Sequence, residues 1–460
     1  SEQDPSPHPS LLESTEVAPR APMNIAVVGA GYAGLVTAAC LADIGHDVGC
    51  VEIDPARVAT LRTGRAPFFE PGLDVVIQRT VAAGRLRFVA ADSAVEEYTR
   101  AEVVFIVVGT PRLDDGNVDL SQVFAAVETA APHLQDGVVV VVKSTVPVGT
   151  TKEAAERLAE LRPGLEFHPA ANPEFLRQGA AVADFEKPDR IVLGVSDPAA
   201  ESVLRTVFAP FIDAGVPTLV TTPESAELIK YAANAFLATK LSFINEIADL
   251  CEASGAEVEE VTRGLGLDRR IGPAFLRPGP GFGGACLPKD TRALLHTHRE
   301  FGTGSRIVGA ALAVNEDRIH RMVEKVEEAV GGPLSGLRIG VLGITFKADT
   351  DDVRESPAID IVNGLAGVGS RVRVYDPRGM SHAKPHLAAN VEYAADAYDA
   401  ITDADVMVIA TEWPEFAALD LDELRSRLAR PVIVDMRNVF DPVKVAAAGI
   451  AYHSIGRRVR

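Results

Sequence analysis

The chain has too little basic charge to hold a polyanion. Lys and Arg number 45 against 64 Asp and Glu, a net charge of −19, whereas nucleic acid and anionic membranes both require a basic footprint. Small anionic ligands stay open, because a phosphate needs only a few local donors. Long apolar runs are missing too. None approaches the roughly 20 residues of a membrane span, and residues 1–22 lack the apolar core of a signal peptide. Cysteine is scarce. The four in 460 residues show neither the paired spacing of a disulfide framework nor that of a zinc site, so no bound metal is expected and a reducing cytoplasm is the expected compartment.

Residues 1–22, rich in Pro, Ser and acid, are expected to be a disordered leader. The whole chain is 47% hydrophobic, enough for several packed cores, and its length suits about three domains of ~150 residues.

The apolar run Asn24–Val28 is followed at once by Gly29-Ala-Gly31-Tyr32-Ala33-Gly34, an apolar helical stretch through Ile44, and a second strand, Val48–Ile53, with Glu52 and Asp54 at its end. This order is the dinucleotide-binding fingerprint. Gly29 permits the tight turn, Gly31 lets a pyrophosphate reach the backbone, and Gly34 lets helix pack on strand while the helix N-terminus faces the phosphates. Glu52, 18 residues after Gly34, is placed for the adenosine ribose hydroxyls and selects NAD over NADP. Val103–Val108 and Val138–Val142 read as strands covered on both faces. Each ends in a polar turn, and ligands bind outside the carboxyl ends of such strands. Thr110, Ser144 and Thr145 are therefore candidates, with capping or turn chemistry as their alternative use. Glu174, in Asn172–Gly179 after a strand at Glu166-Phe-His-Pro, is a candidate on the same ground.

A helix starts near Thr221-Thr-Pro223-Glu224, with Thr221 as its cap, and nothing breaks the pattern until Gly255. It spans about 30 residues, or ~45 Å. Its apolar residues, Leu228, Ile229, Phe236, Leu237, Leu241, Phe243, Ile244, Ile247 and Leu250, cover more than one stripe, which predicts burial on two sides, one of them against a second copy of the chain. Lys230 and Asn234, spaced i, i+4, share a face.

Cys40, Cys50 and Cys251 lie in apolar periodic segments and read as core filler. Cys286 differs. It sits in Gly281-Phe-Gly283-Gly284-Ala-Cys286-Leu-Pro-Lys289-Asp290, where glycines let the backbone press close to a ligand, a lysine favours thiolate, and an aspartate can take a proton. After a linker at Gly331–Gly336, a second α/β unit begins with strands at Arg338–Leu342, Arg371–Tyr375, Val406–Ala410 and Val432–Val434. Its first turn, Gly343-Ile-Thr-Phe346-Lys347, lacks the three-glycine spacing and should not bind a second dinucleotide in the same way. Lys347, Arg354 and Arg437 lie just beyond strands or their turns, which suits phosphate or ribose contacts.

Together these residues resemble the UDP-glucose/GDP-mannose dehydrogenase family over 23–445. The likeness rests on Gly-Ala-Gly-Tyr-Ala-Gly, Glu70-Pro-Gly-Leu, Ser144-Thr-Val-Pro-Val-Gly-Thr, Asn172-Pro-Glu-Phe-Leu, Glu227-Leu-Ile-Lys-Tyr-Ala-Ala-Asn, the Cys286 stretch, and Phe346-Lys-Ala-Asp-Thr-Asp-Asp-Val-Arg-Glu-Ser, in that order. The resemblance implies an α/β fold of two Rossmann-like, doubly wound domains joined by a long central helix. The expected divisions are an NAD-binding domain at 23–215, a central helical dimerisation region with the Cys286 loop at 216–330, and a nucleotide-sugar domain at 331–460.

By the same resemblance the chain oxidises the primary alcohol of UDP-glucose twice, to a carboxylate, with two NAD and a Cys286 thiohemiacetal and thioester. Lys230 stabilises oxyanions, Asn234 holds the reacting oxygen, Asp290 and a water handle protons, and Glu174 and Thr145 position the hydrolytic water. Implied cofactor contacts are the glycines 29, 31 and 34, Tyr32, Ala33, Glu52, Arg57, Thr110, Thr145, Gln178, Lys289 and Arg354. Implied sugar-nucleotide contacts are Glu174, Phe175, Leu176, Lys230, Asn234, Phe275, Leu276, Arg277, Pro278, Gly279, Gly283, Lys347 and Arg437, with Arg270 reaching in from a partner subunit of a homodimer or larger homo-oligomer. Two positions depart from the family pattern: Glu52 stands where aspartate is usual, and Gln178 where many relatives carry glutamate. Alternatives are a sister enzyme acting on GDP-mannose or a UDP-N-acetyl sugar, and a silent nucleotide-sugar binding protein.

Overall fold

The computed structural model describes residues 21–113 and 115–457. The expected disorder of 1–22 therefore falls almost wholly outside the described residues. Two compact units divide the chain between Tyr231 and Ala232.

The first unit is built on eight strands: β1 Asn24–Val28, β2 Asp47–Glu52, β3 Leu86–Ala90, β4 Val103–Ile106, β5 Val138–Val142, β6 Phe167–Ala171, β7 Ile191–Val195 and β8 Thr218–Thr221. They lie in the order β3-β2-β1-β4-β5-β6-β7-β8. The first six are parallel, β7 runs antiparallel to β6, and β8 is parallel to β7. The order of those six is the doubly wound arrangement, with its reversal between β1 and β4. Strand alternation explains the two cores. Ile25 and Val27 point to one face, with Leu35 and Leu41 of the helix Tyr32–Asp43; Ala26 and Val28 point to the other, with Val104, Ile106 and Val123.

At the reversal, Gly29 has φ +105 and a Cβ there would overlap the Val107 carbonyl, while a Cβ on Gly34 would overlap the Gly29 carbonyl. The two glycines are thus required by the protein's own packing. Nothing lies within 4 Å of a Cβ built on Gly31. That is the open space a pyrophosphate needs, at the N-terminus of the Tyr32–Asp43 helix.

The second unit holds six parallel strands, β9 Arg338–Leu342, β10 Arg371–Tyr375, β11 Glu392–Tyr393, β12 Val406–Ile409, β13 Val432–Asp435 and β14 Ala451–Ser454. They lie in the order β11-β10-β9-β12-β13-β14, repeating the first sheet's winding. The turn after β9 is tied to the end of β10. Ile344 and Thr345 amides both donate to Asp376 Oδ2, at 2.7 and 3.0 Å, and the Trp413 indole donates to the same oxygen at 3.2 Å. The Ile344 bond repeats the one that Ala30 makes to Glu52 in the first unit, at 3.0 Å, so what sets this turn apart is its missing glycine spacing together with the Thr345 and Trp413 bonds.

The long helix runs Pro223–Ser254, 32 residues, beginning in the first unit and ending in the second. Its cap is Thr222 and not Thr221. Thr222 Oγ1 accepts the Ser225 amide at 3.2 Å, three residues on, whereas Thr221 is the last residue of β8. Leu228, Phe236, Phe243 and Leu250 are 44–66% exposed, so within the single chain the burial expected on two sides is not complete. Among the described residues no helix is long and apolar enough to cross a membrane, and no cluster of three His, Cys, Asp or Glu could hold a metal.

Candidate active site

In the first unit, the candidate residues gather at the carboxyl ends of β1, β2, β4, β5 and β6. Glu52 is buried at the end of β2. Its Oε2 accepts the Ala30 amide at 3.0 Å and its Oε1 the Asp54 amide at 2.9 Å, with Arg57 Nη1 3.5 Å from Oε2. A carboxylate offers about four acceptor positions, so capacity for ribose hydroxyls remains. With the space at Gly31 and the helix N-terminus, these residues fit NAD. Thr110 Oγ1 donates to the Thr145 carbonyl at 2.9 Å. Ser144 Oγ both accepts the Val108 amide, at 2.9 Å, and donates to the Val108 carbonyl, at 2.8 Å. Ser144 therefore serves as a brace between β4 and β5, the turn chemistry weighed as its alternative.

Glu174 and Lys230 form a buried ion pair, Nζ to Oε1 3.1 Å, with side chains 10% and 4% exposed. The other Glu174 oxygen accepts the Leu176 amide at 2.6 Å. Burial alone would raise the Glu174 pKa; the Lys230 charge, the Leu176 amide and the Lys143 charge outweigh it and hold the carboxyl below its ordinary range. Lys230 also lies over the Phe175 ring, 5.3 Å from its centre, and Arg190 stacks on the same ring at 3.6 Å. Thr145, Pro173, Glu227 and Lys230 line one crevice.

In the second unit, Cys286 is exposed at the N-cap of the helix Leu287–Glu300, whereas Cys40, Cys50 and Cys251 are buried. A helix N-terminus favours thiolate. Arg354 adds a positive charge that interacts with the thiol, while being itself gripped by Asp352 through Nε at 2.9 Å and Nη2 at 2.7 Å. Lys289, the cation singled out from the sequence, lies 2.7 Å from Asp290 Oδ1, and Asn234 Nδ2 donates to Asp290 Oδ2 at 2.6 Å.

The glycines before Cys286 press on protein rather than only on open space. A Cβ at Gly283 would overlap the Glu355 carbonyl, and one at Gly284, φ +85, would meet the Phe346 ring at 2.9 Å. The Gly284 amide donates to the Arg354 carbonyl at 2.9 Å. Three stretches converge in this way. Arg437 donates to the Phe346 carbonyl at 2.8 Å and to the Ala410 carbonyl at 2.8 Å, Arg277 donates to the Arg437 carbonyl at 3.2 Å, and a Cβ on Gly279 would lie 3.2 Å from Arg437 Nη1. Asn245 and Arg318 pin Gly279 through its amide, 2.9 Å, and carbonyl, 3.1 Å. Phe275, φ 59, and Glu355, φ 44, are held in the left-handed region that non-glycine residues seldom occupy. Lys347 lies 5.8 Å over the Phe346 ring. Arg270 is exposed and aligned on Asp268 within its own chain, Nη2 to Oδ2 2.6 Å.

Three matches cover nearly the whole chain: the NAD binding domain, central domain and UDP binding domain of one family, at residues 23–212, 224–317 and 340–442. The chain belongs to the UDP-glucose/GDP-mannose dehydrogenase family. It is 50% identical over 438 residues to the UDP-glucose 6-dehydrogenase of Rhizobium meliloti (strain 1021), covering 95% of this chain and 100% of that one. The solved UDP-glucose dehydrogenase of the archaeon Pyrobaculum islandicum is 40% identical, with a TM-score of 0.86 and coverage of 95% and 99%. The UDP-D-ManNAc dehydrogenase of Pyrococcus horikoshii follows at 29% identity, TM-score 0.83, with the same coverage.

Some residues that hold this family's motifs in place give no signal of role in the sequence. Glu70 accepts the Tyr32 hydroxyl and the amides of Gly179, 2.7 Å, and Ala181, 2.7 Å, tying the loop that carries Gln178 to the dinucleotide turn. Burial and Glu70 together push the Tyr32 hydroxyl far above its ordinary pKa. Glu227 caps the helix Thr150–Leu161, accepting the Thr151 amide at 2.7 Å and the Gly149 amide at 2.6 Å. Only an acid within a quoted motif marked either one.

Proposed function

We propose that this chain oxidises UDP-glucose to UDP-glucuronate in two steps, with Cys286 as the nucleophile. The observation that carries the reading is the exposed Cys286 at a helix N-terminus, beside the Arg354 charge and the Asn234–Asp290 pair. NAD, when bound, accepts a hydride in each oxidation. The protein residues do the rest. Asp290, with a water, takes the proton of the primary alcohol as the aldehyde forms. The Cys286 thiolate adds to the aldehyde carbon, and the resulting oxyanion lies with Lys230 and Asn234. Loss of the second hydride from that carbon leaves a thioester, which needs a nucleophile that is also a good leaving group, as sulfur is. Water then adds, aided by Glu174 and Thr145, and the carbon–sulfur bond breaks to release carboxylate and thiolate.

The sugar nucleotide is assigned to Glu174, Phe175, Leu176, Phe275–Gly279, Gly283, Lys347 and Arg437, and the cofactor to the fingerprint with Glu52, Arg57, Thr110, Gln178, Lys289 and Arg354. We further assign residues 216–330 to a central dimerisation region. The exposed row Leu228, Phe236, Phe243 and Leu250 supports pairing with a second copy, into whose site Arg270 would reach. The cytoplasm is the compartment that suits four unlinked cysteines.

A UDP-N-acetyl sugar is the second reading, since the Pyrococcus horikoshii relative named for one shares 29% of its residues. Incubating the protein with NAD and, in turn, UDP-glucose, GDP-mannose and a UDP-N-acetylhexosamine, while following reduced nicotinamide, separates the two. Reduction fastest with UDP-glucose is expected; preference for another sugar overturns the substrate assignment.

A further inference from the structure

Lys143 directly follows β5 and is buried, only 5% exposed. Its ammonium donates to Asn172 Oδ1 at 2.8 Å and the Asn172 carbonyl at 3.4 Å, and lies 5.9 Å over the Phe208 ring. Asn172 in turn donates through Nδ2 to the Val192 carbonyl at 2.8 Å. One ammonium therefore ties the ends of β5 and β6, with β7, directly behind the Asn172-Pro-Glu174 turn. An amide could bridge these carbonyls equally well, and a buried charge is costly unless another charge offsets it. The charges that act on Lys143 are those of Glu174 and Lys230.

We propose that Lys143 is a positioning residue for thioester hydrolysis: through Asn172 it fixes the Asn172–Glu174 turn and places a buried positive charge behind the Glu174–Lys230 ion pair. This rests on the assignment of Glu174 to the hydrolytic water. Glu174 is paired with Lys230 at 3.1 Å and also feels the Lys143 charge, and the surplus positive charge favours the oxyanion formed when water adds to the thioester. Burial lowers the Lys143 pKa to about 8, against the pull of Glu174 and with the push of Lys230. The second cation is thus present at neutral pH and disappears just above it.

The test follows the lifetime of acyl-Cys286 by rapid quenching and mass spectrometry, across pH, in wild type, Lys143→Met and Glu174→Gln. Wild type should show hydrolysis slowing as pH rises through about 8. In Lys143→Met the two hydride transfers should persist, hydrolysis near neutral pH should slow by about tenfold, the transition near 8 should vanish, and the acid limb set by Glu174 should move to higher pH. A residue that only braced the fold would lower the melting temperature or the active fraction and leave both limbs in place. Should Lys143→Met not fold, Lys143→Gln keeps a donor for Asn172 without the charge and makes the same test. Limbs identical to wild type in either variant overturn the proposal while leaving Glu174 untouched. Normal hydrolysis in Glu174→Gln overturns the Glu174 assignment itself.

Discussion

Asn234 donates its side-chain amide to Asp290 Oδ2 at 2.6 Å in a buried setting, one turn along the long helix from Lys230. Asp290 also has Lys289 at 2.7 Å from its other oxygen. If this carboxylate moves the protons, Asp290→Asn should lower the rate of the first hydride transfer by about 100- to 10,000-fold, the usual worth of general acid–base catalysis, while UDP-glucose binding changes little. Stopped-flow detection of reduced nicotinamide together with calorimetric binding checks this. A burst of normal rate would remove Asp290 from proton transfer.

Two reduced cofactors should appear per UDP-glucose consumed. Cys286→Ala keeps the helix N-terminus but removes the sulfur on which the second oxidation is built, so it should yield at most one per sugar and no acyl adduct. Product analysis by mass spectrometry reads the outcome, and a full yield of glucuronate from Cys286→Ala would sink the covalent route.

Glu174→Gln keeps shape and hydrogen bonding and removes the charge. Gln178, being an amide, cannot act as a base in its stead. We expect a fast burst of about two reduced cofactors per site, then slow turnover, with added mass on Cys286. Stability gives an independent reading. The folded Glu174 carboxyl lies below its ordinary value of 4.5, so its contribution is present above that pH and is lost as pH falls through the folded value. Thermal melting of wild type should therefore decline more steeply below about pH 4.5 than that of Glu174→Gln; parallel declines would show that the ion pair with Lys230 adds no net stability.

Gly283→Ala should be among the most damaging single-methyl changes in the chain, because its Cβ would overlap the Glu355 carbonyl. Either the Cys286 loop or the strained Glu355 must move, and we expect activity to fall at least about tenfold with a drop in melting temperature. Gly31→Ala makes the contrast. Its Cβ meets nothing within 4 Å, so the fold should tolerate it, and any loss should appear in the KM for NAD.

The parts of the fold that follow from local pattern are legible in the sequence. β1, the glycine turn and its helix are read nearly to the residue, because a buried strand, three spaced glycines and an apolar helix leave few alternatives. The long helix is legible for want of breakers. β7 and β8 are not, although Pro188, Asp197-Pro198, Gly215 and Pro217 bracket them, because Gly194 interrupts the apolar run of β7 and β8 is four residues with a threonine at each end; nor are the two-residue β11 and the polar Ala451–Ser454 of β14. Distance in sequence hides much of the site as well. Lys143 meets Asn172 29 residues on, and Glu70 meets Ala181 111 residues on. Such partners can be known only once the sheet brings their strands together.

The three-glycine turn stands after β1 and is missing after β9, so we expect one seat for a dinucleotide where two sheets of the same winding could have offered a pair. An oxidation that removes two hydrides must then proceed as two visits to a single seat, with the spent cofactor leaving and a fresh one arriving in between. The half-oxidised sugar has to outlast that exchange without escaping as a reactive aldehyde. A thiol that can tether it, as we propose for Cys286, lets the protein wait. Its pace should accordingly follow the cell's supply of oxidised over reduced cofactor more closely than that of a dehydrogenase with one hydride to remove.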